Sequence, residues 1–192
     1  MIATMDLQTA ARERLLELAA QAIRCATGHV PAPAIVTAEE PAPLREPGAS
    51  FVTLKRGQQL RGCIGTLEAH RPLAIDVLHN AEAAALHDPR FEPLRAQELT
   101  GLTYSVTLLT PSQPLHAPSR DSLLEQLEPH RDGLIITAGG RRATFLPAVW
   151  EQLPDPETFL DALLRKAGLP SHIWPQGLQA WRYASVEFAG GL

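Results

Sequence analysis

Cysteine is scarce in this chain, since the 192 residues contain only Cys25 and Cys63. Cys25 lies in a helical pattern far in sequence from Cys63, so there is no disulfide framework of the kind that holds small secreted proteins together. Long apolar runs are also missing: charged residues interrupt the N-terminal segment from Asp6 onwards, and no run approaches the roughly 18 residues of a membrane-spanning helix. These absences predict a soluble, cytoplasmic protein.

A strong charge of either sign is lacking too, because the formal net charge is -4. This balance gives no overall attraction to nucleic acids or anionic membranes. Basic residues do lie at two predicted turns, Lys55, Arg56 and Arg61 at one and Arg141 and Arg142 at the other. Charges at turn tips are usually solvated, and no aromatic residues alternate with them as a base-stacking surface would require. Nucleic-acid binding is therefore a weak candidate.

Motifs for nucleotide chemistry are absent as well, since no phosphate-binding loop, dinucleotide-binding glycine pattern or nucleophile elbow occurs. We predict no cofactor. The hydrophobic pattern predicts helices over 6–26 and 72–86, a short helix capped by Ser119, and a helix over 157–167 capped by Asp155-Pro156. It predicts strands over 51–55, 60–66, 102–109, 134–138, 141–146 and 181–188. The stretch 29–48 is predicted to be a loop, because its prolines disfavour both a helix and a central strand.

The order hairpin, helix, strand occurs twice along the chain. The two predicted hairpins turn at Gly57-Gln58-Gln59 and at Gly140-Arg141-Arg142, and the closing strands carry Tyr104-Ser105-Val106 and Tyr183-Ala184-Ser185-Val186. This repetition predicts an internal duplication and one mixed sheet with pseudo-symmetric halves. Length and composition predict a single domain over 1–192, with an N-terminal helix over 1–28 and a motif-bearing core at about 48–188.

Residues 60–66, Leu-Arg-Gly-Cys-Ile-Gly-Thr, place a thiol between two glycines in a predicted strand. Because alternate residues of a strand share a face, Arg61 and Cys63 are expected to project together, with Leu60 and Ile64 towards apolar packing. A guanidinium beside a thiol favours the nucleophilic thiolate. Free cysteine is also among the most buried residue types, and a neighbouring glycine often marks only the close passage of another backbone. Cys63 is therefore either a reactive thiol or a packing residue.

One face of the helix predicted over 72–86 carries Asp76, His79 and Asn80, with His87 just beyond it in line. Two imidazoles and a carboxylate are ligands that a metal ion or a proton relay uses. No tight ligand spacing accompanies them, so an ordinary solvated face is the simpler interpretation and no metal site is predicted.

The segment Asp88-Pro89-Arg90-Phe91 predicts a rigid turn after this helix. Asp88 can accept hydrogen bonds from the backbone that follows it, and Phe91 can anchor the loop. Arg90 is either a fork that binds a carboxylate or phosphate, or the partner of a nearby acid or carbonyl.

Five segments in order carry a family resemblance: FVTLK at 51–55, LRGCIGT at 60–66, DPRF at 88–91, ATFLP at 143–147 and LLRKAG at 163–168. Together they resemble the AMMECR domain family. The resemblance implies an α+β fold with a mixed, largely antiparallel sheet flanked by helices and two unequal lobes. It also implies that residues 60–65 are signature residues, which strengthens the case that Cys63 matters, whereas His79 and His87 have no place in the family pattern.

In many prokaryotes a protein of this family looks like one part of a three-part system with a Memo-type protein and a radical SAM enzyme. That association implies a redox or radical modification pathway. We therefore predict a ligand- or partner-binding accessory component that acts through the surface of residues 60–65. The candidate binding residues are Gly62, Ile64, Gly65, Thr66, Asp88 and Arg90. The alternative is an enzyme that uses Cys63 as a nucleophile or redox thiol activated by Arg61, with its base unidentified.

Overall fold

Runs of alternating apolar and polar residues build two β-sheets, each covered by helices. The computed structural model describes residues 9–28, 30–31, 34–35 and 37–192. The elements are α1 (Thr9–Thr27), α2 (Ala42–Arg45), β1 (Pro47–Arg56), β2 (Gln59–Gly65), β3 (Arg71–Pro72), α3 (Leu73–Leu86), β4 (Leu102–Leu109), β5 (Gln113–Leu115), α4 (Arg120–Leu124), β6 (Gly133–Ala138), β7 (Arg141–Phe145), α5 (Pro156–Lys166), β8 (Gln179–Tyr183) and β9 (Ser185–Gly191). Within the described residues, no helix has the length and apolarity needed to cross a membrane.

The first compact unit comprises the described residues up to Leu109 together with Val186–Leu192. Its sheet has the order β2-β1-β4-β9, and β3 pairs with β1. The hairpin β1–β2 and the pair β1–β4 are antiparallel. The apolar faces of α1 and α3 contribute to one hydrophobic core with the inward residues of β1 and β4, such as Leu18, Val77 and Val106. Alanines dominate α3, and small side chains let a helix lie close to a sheet.

The second compact unit is the continuous segment Thr110–Ser185, whose sheet has the order β5-β8-β6-β7. At its centre the Trp150 ring stacks on Phe159 with a centroid distance of 3.8 Å, and the indole N–H donates to the Asp132 carbonyl at 2.7 Å. Helix α5 begins at Pro156 because the Asp155 carboxylate accepts the Thr158 N–H at 2.8 Å. This unit therefore has a core of its own.

The α+β class and the two unequal lobes are confirmed, whereas the single mixed sheet is wrong. In both units the first strand of the hairpin lies between its partner and the strand that follows the helix, giving β2-β1-β4 and β7-β6-β8. The strand predicted over 181–188 is in fact two strands, β8 and β9, which belong to different sheets. They separate at Ala184, whose carbonyl and N–H bond to the backbone N–H and the hydroxyl of Thr110.

The predicted helices and the other strands are present with ends that shift by a few residues. The start of the predicted N-terminal helix, residues 6–8, lies outside the described residues, and the helix is described from Thr9. Most of the proline-rich stretch that is described has no regular structure, apart from a short 3-10 turn at Thr37–Glu39 and α2. Strand β1 begins earlier than predicted, at Pro47, because its first residues pair with β3.

Candidate functional site

Strand β2 carries the cysteine motif at the edge of the first sheet, and a β-bulge interrupts it. Thr53 of β1 pairs with Cys63 and Leu54 with Gly62, but Lys55 then pairs with Leu60, which leaves Arg61 without a cross-strand partner. A bulge of this kind breaks the simple alternation of faces. The expectation that Leu60 packs inward is therefore wrong, since this side chain is 40% exposed.

Both glycines of the motif serve close packing. A Cβ at Gly62 would lie 2.2 Å from the Ala84 carbonyl oxygen of α3, and one at Gly65 would lie 2.2 Å from the Phe51 ring. Contacts this short exclude any side chain unless the neighbour moves. Ile64 packs against the core of the first unit. The structure thus turns Gly62 and Ile64 towards the protein interior, while Cys63 lies on the other face of the sheet.

The backbone of Cys63 is held from outside the sheet. Its N–H donates to Oδ2 of Asp88 at 2.8 Å, and its carbonyl accepts from Nη2 of Arg90 at 3.3 Å. Because neither group bonds to β1, Cys63 and Thr53 form a non-hydrogen-bonded pair, in which side chains approach most closely. The Thr53 hydroxyl accordingly donates to the Cys63 sulfur at 3.3 Å. The thiol is half-buried, and its position is fixed on both sides of the strand.

The Asp88-Pro89-Arg90-Phe91 turn supplies both side chains that hold the Cys63 backbone, and we call the Asp88–Arg90 pair the clamp. The Arg90 guanidinium forms a bidentate ion pair with Asp88, with Nε–Oδ1 at 2.9 Å and Nη2–Oδ2 at 2.6 Å, and the Arg90 N–H also donates to Asp88 Oδ1. The predicted bond of Asp88 to the backbone that follows it is confirmed. Of the two interpretations of Arg90, the structure shows the second, in which it is the partner of a nearby acid. The Asp88–Arg90 pair covers the edge of β2 at Cys63, where unpaired backbone groups could otherwise bond to a strand of another molecule.

These contacts keep Asp88 ionised. The hydrogen bonds from the Arg90 side chain hold the pKa of the Asp88 carboxyl far below its ordinary value, burial opposes this, and the Cys63 N–H adds to the lowering. Asp88 is 4% exposed, so solvent screens the interaction little. A carboxylate with so low a pKa binds a proton poorly at neutral pH and is a weak general base.

Arg61, the predicted activator of the thiol, has another partner. Its guanidinium forms a bidentate pair with Glu98, with Nε–Oε1 at 2.9 Å and Nη2–Oε2 at 3.1 Å. This pairing lowers the pKa of Glu98. Arg61 and Arg90 lie 6.0 Å and 5.4 Å from the centre of the Phe91 ring, so the aromatic residue packs beside two ion-paired guanidinium groups. The cation held against the Cys63 backbone is Arg90.

The predicted histidine face of α3 is divided by burial. Asp76 and Asn80 are 0% and 2% exposed, whereas His79 and His87 are exposed, so the solvated-face interpretation is wrong for the first two. The Asp76 carboxylate accepts from five donors on four residues: the N–H and hydroxyl of Ser50, the Thr66 hydroxyl, the Arg71 Nε and the Asn80 amide. No cluster of three or more His, Cys, Asp or Glu residues that could hold a metal ion occurs in the described part of the chain.

The candidate site residues therefore do not form a single cluster. Cys63, Asp88 and Arg90 are brought together at the edge of β2, with Thr53 as a neighbour that the sequence analysis did not single out. Thr66 belongs instead to the buried Asp76 network. The strand register is the signal that could have found Thr53, because a residue ten positions before Cys63 in a tight hairpin lies opposite it.

The pH dependence of stability reports on the Asp88 clamp. A carboxyl group whose pKa is depressed on folding stabilises the protein above its unfolded pKa of about 3.9, and this contribution is lost as the pH falls further. Asp88→Asn removes it, so we expect the variant to be less stable than the wild type at pH 7 and the gap to shrink below pH 4. Urea unfolding at pH 7, 5 and 3 measures this, and a gap that is unchanged at pH 3 would contradict it.

Two antiparallel sheets with separate cores and a clamped, half-buried cysteine on an edge strand define an α+β protein with a single-thiol site. A family model described as AMMECR1 matches residues 16–188. A protein of Thermofilum pendens is 36% identical over 162 residues, which cover 78% of this chain and 76% of the relative. Protein MJ0810 of Methanocaldococcus jannaschii is 35% identical over 158 residues, covering 80% and 79%.

The fold has a solved counterpart. The crystal structure of the uncharacterized protein PH0010 from Pyrococcus horikoshii superposes with a TM-score of 0.83 at 31% sequence identity, over 95% of this chain and 93% of that one. The chain belongs to the AMMECR1 family.

Proposed function

We propose that this protein is a binding component of a redox or radical modification pathway, and that its partners are a Memo-type protein and a radical SAM enzyme. The binding surface comprises Cys63, Asp88, Arg90 and Phe91, which we call the clamp surface. The observation that carries the proposal is the fixing of Cys63 through both backbone groups by an ion pair. Such rigidity presents one half-exposed thiol in a constant position, which lowers the entropic cost of recognition.

The chemistry around the thiol favours binding over turnover. Asp88 is the carboxylate beside Cys63, and its lowered pKa makes it a poor proton acceptor. The Thr53 hydroxyl donates to the sulfur and has no base of its own among the described residues. The Arg90 side chain is 54% exposed although it is ion-paired, so it can still contribute a guanidinium to a partner.

Association with purified partner proteins tests this function. We expect Arg90→Gln and Cys63→Ser each to weaken binding of the Memo-type protein or the radical SAM enzyme about tenfold or more, with the fold intact by circular dichroism. Arg131→Gln is the matched control, because Arg131 is also an exposed arginine that pairs with a carboxylate, that of Glu128 in the second unit. Unchanged affinity in both clamp variants would refute the proposal.

An enzyme that uses Cys63 as a nucleophile or redox thiol is the second candidate. It is favoured by the half-buried thiol with a hydroxyl donor at 3.3 Å and a guanidinium on its own carbonyl. The activating residues would then be Thr53 and Arg90, because Arg61 is bound to Glu98. This function requires that Cys63 form a covalent or oxidised intermediate.

Alkylation of the native protein separates the two candidates. The pH dependence of iodoacetamide labelling is read by peptide mass at Cys63, with Cys25 as the internal reference. A labelling midpoint well below that of Cys25, which rises again in the isosteric Thr53→Val variant, supports catalysis. Identical profiles at the two cysteines support the binding role.

A further inference from the structure

The outer face of the first sheet contains an open groove of about 560 Å³ that no function described above uses. Its floor includes Thr53 and Lys55 of β1 and Thr103 and Ser105 of β4, and its side includes Glu187 and the glycines of β9. Thr53 pairs with Ser105 and Lys55 with Thr103, so the polar side chains form two rows across the strands. The volume lies in the range of small-ligand sites.

Hydroxyl groups line this groove where a sheet face covered by protein would carry apolar residues. The alternating residues Leu54 and Tyr104 point to the core and are buried. Ser105 is also only 7% exposed, yet its hydroxyl forms no hydrogen bond with any residue that the structure describes. A hydroxyl both donates and accepts, so the Ser105 hydroxyl can meet either an N–H or a carbonyl group of a peptide. The hydroxyls of Thr53 and Thr103 already donate, to the Cys63 sulfur and to the Lys55 carbonyl, and can still accept a peptide N–H.

Two opposite charges flank these hydroxyls. Lys55 and Glu187 are both exposed, and across the described part of the chain neither takes part in a salt bridge or hydrogen bond through its side chain. Strand β4 lies between β1 and β9, so the backbones that carry the two charges are about 10 Å apart, twice the spacing of neighbouring strands. The groove therefore offers an ammonium on one side and a carboxylate on the other.

We propose that this groove binds a short peptide with free termini, whose carboxylate meets Lys55 and whose ammonium meets Glu187. Three extended residues span about 10 Å, whereas the charges of a free amino acid are too close together to reach both sides. The inference rests on the proposed binding function and names a ligand class for it. It adds a peptide site beside the clamp surface.

The groove and the cysteine share one group. The Thr53 hydroxyl lines the groove and also donates to the Cys63 sulfur. A peptide carbonyl can accept that hydroxyl hydrogen only if the bond to sulfur is lost or shared. Occupation of the groove is therefore expected to change the rate at which Cys63 is alkylated, while the rate at Cys25 stays the same.

Titration of trialanine into isotopically labelled protein tests the site by nuclear magnetic resonance. We expect saturable shifts at the amides of Thr53, Thr103 and Ser105. N-acetyltrialanine lacks the ammonium and trialanine amide lacks the carboxylate, so each should bind about tenfold more weakly. Lys55→Gln and Glu187→Gln should cause the same loss, whereas Arg56→Gln, an exposed cation on the same strand outside the groove, should not. The spectrum of each variant reports directly on its fold.

Equal binding of the free and blocked peptides, or no saturable shift at these amides, would overturn the peptide site. The association experiment with the Memo-type protein and the radical SAM enzyme is read separately, through Arg90→Gln and Cys63→Ser. If trialanine fails to bind while Arg90→Gln still weakens association, the groove inference fails and the proposed function stands. If trialanine binds as described but neither clamp variant alters association, the peptide site stands and the proposed partners fall.

Discussion

Replacing Asp76 by alanine is expected to lower the free energy of unfolding by about 3–5 kcal/mol, the cost of removing one partner from a buried ion pair. The carboxylate is fully buried and joins α3 to β1 and to the segment after β2. Its removal leaves Arg71 without its ion-pair partner and Ser50 without its acceptor. Urea unfolding followed by circular dichroism measures the loss.

The control for this prediction lies on the same helix. Glu82 forms no hydrogen bond or salt bridge with any residue in the described ranges, so Glu82→Ala should change the stability by no more than about 0.5 kcal/mol. Asp76→Asn should also be strongly destabilising, because an amide cannot accept all five hydrogen bonds. A loss below about 1 kcal/mol in Asp76→Ala would show that the network contributes little to stability.

The Gly62→Ala substitution is expected to destabilise the protein by about 3 kcal/mol, near the upper end of the range for overpacked sites. The new methyl group would lie 2.2 Å from the Ala84 carbonyl oxygen, which is a backbone atom in the last turn of α3 and cannot rotate away as a side chain could. The strand or the helix must move instead. Chemical denaturation of the purified variant gives the value.

Gly191→Ala serves as the counterpart, because a Cβ there meets nothing within 4 Å and the backbone needs no positive φ. It should leave the stability within about 0.5 kcal/mol of the wild type. If Gly62→Ala were as stable as this control but failed to bind partners, the glycine would serve ligand approach and the packing account would be wrong.

Local sequence signals predicted the elements well because each depends on neighbours in the chain. The N-caps at Ser119 and Asp155 are examples, since the side chain bonds an N–H three residues later. The turn at Asp88 is another, because the carboxylate bonds the backbone two residues on. These features could be read directly from short stretches of sequence.

The site depended on contacts between distant segments, and there the prediction was weaker. The bulge at Arg61 changes which residues face solvent, and no local pattern marks it. Glu98 lies 37 residues from Arg61, so no local pattern indicated that Arg61 binds Glu98 and is not the residue that activates the thiol. The buried state of Asp76 follows from donors on β1 and the segment after β2, which helical periodicity cannot show.

The crossing of the chain at Ala184 has a consequence for how the protein folds during synthesis. Strand β9 completes the first sheet, yet residues 110–184 are all translated before it. The edge of β4 therefore stays open while the ribosome makes the second unit, which is continuous and can fold as soon as it emerges. An unfinished sheet edge is a site for aggregation, and this edge of β4 is closed only when β9 pairs with it after the second unit has been made.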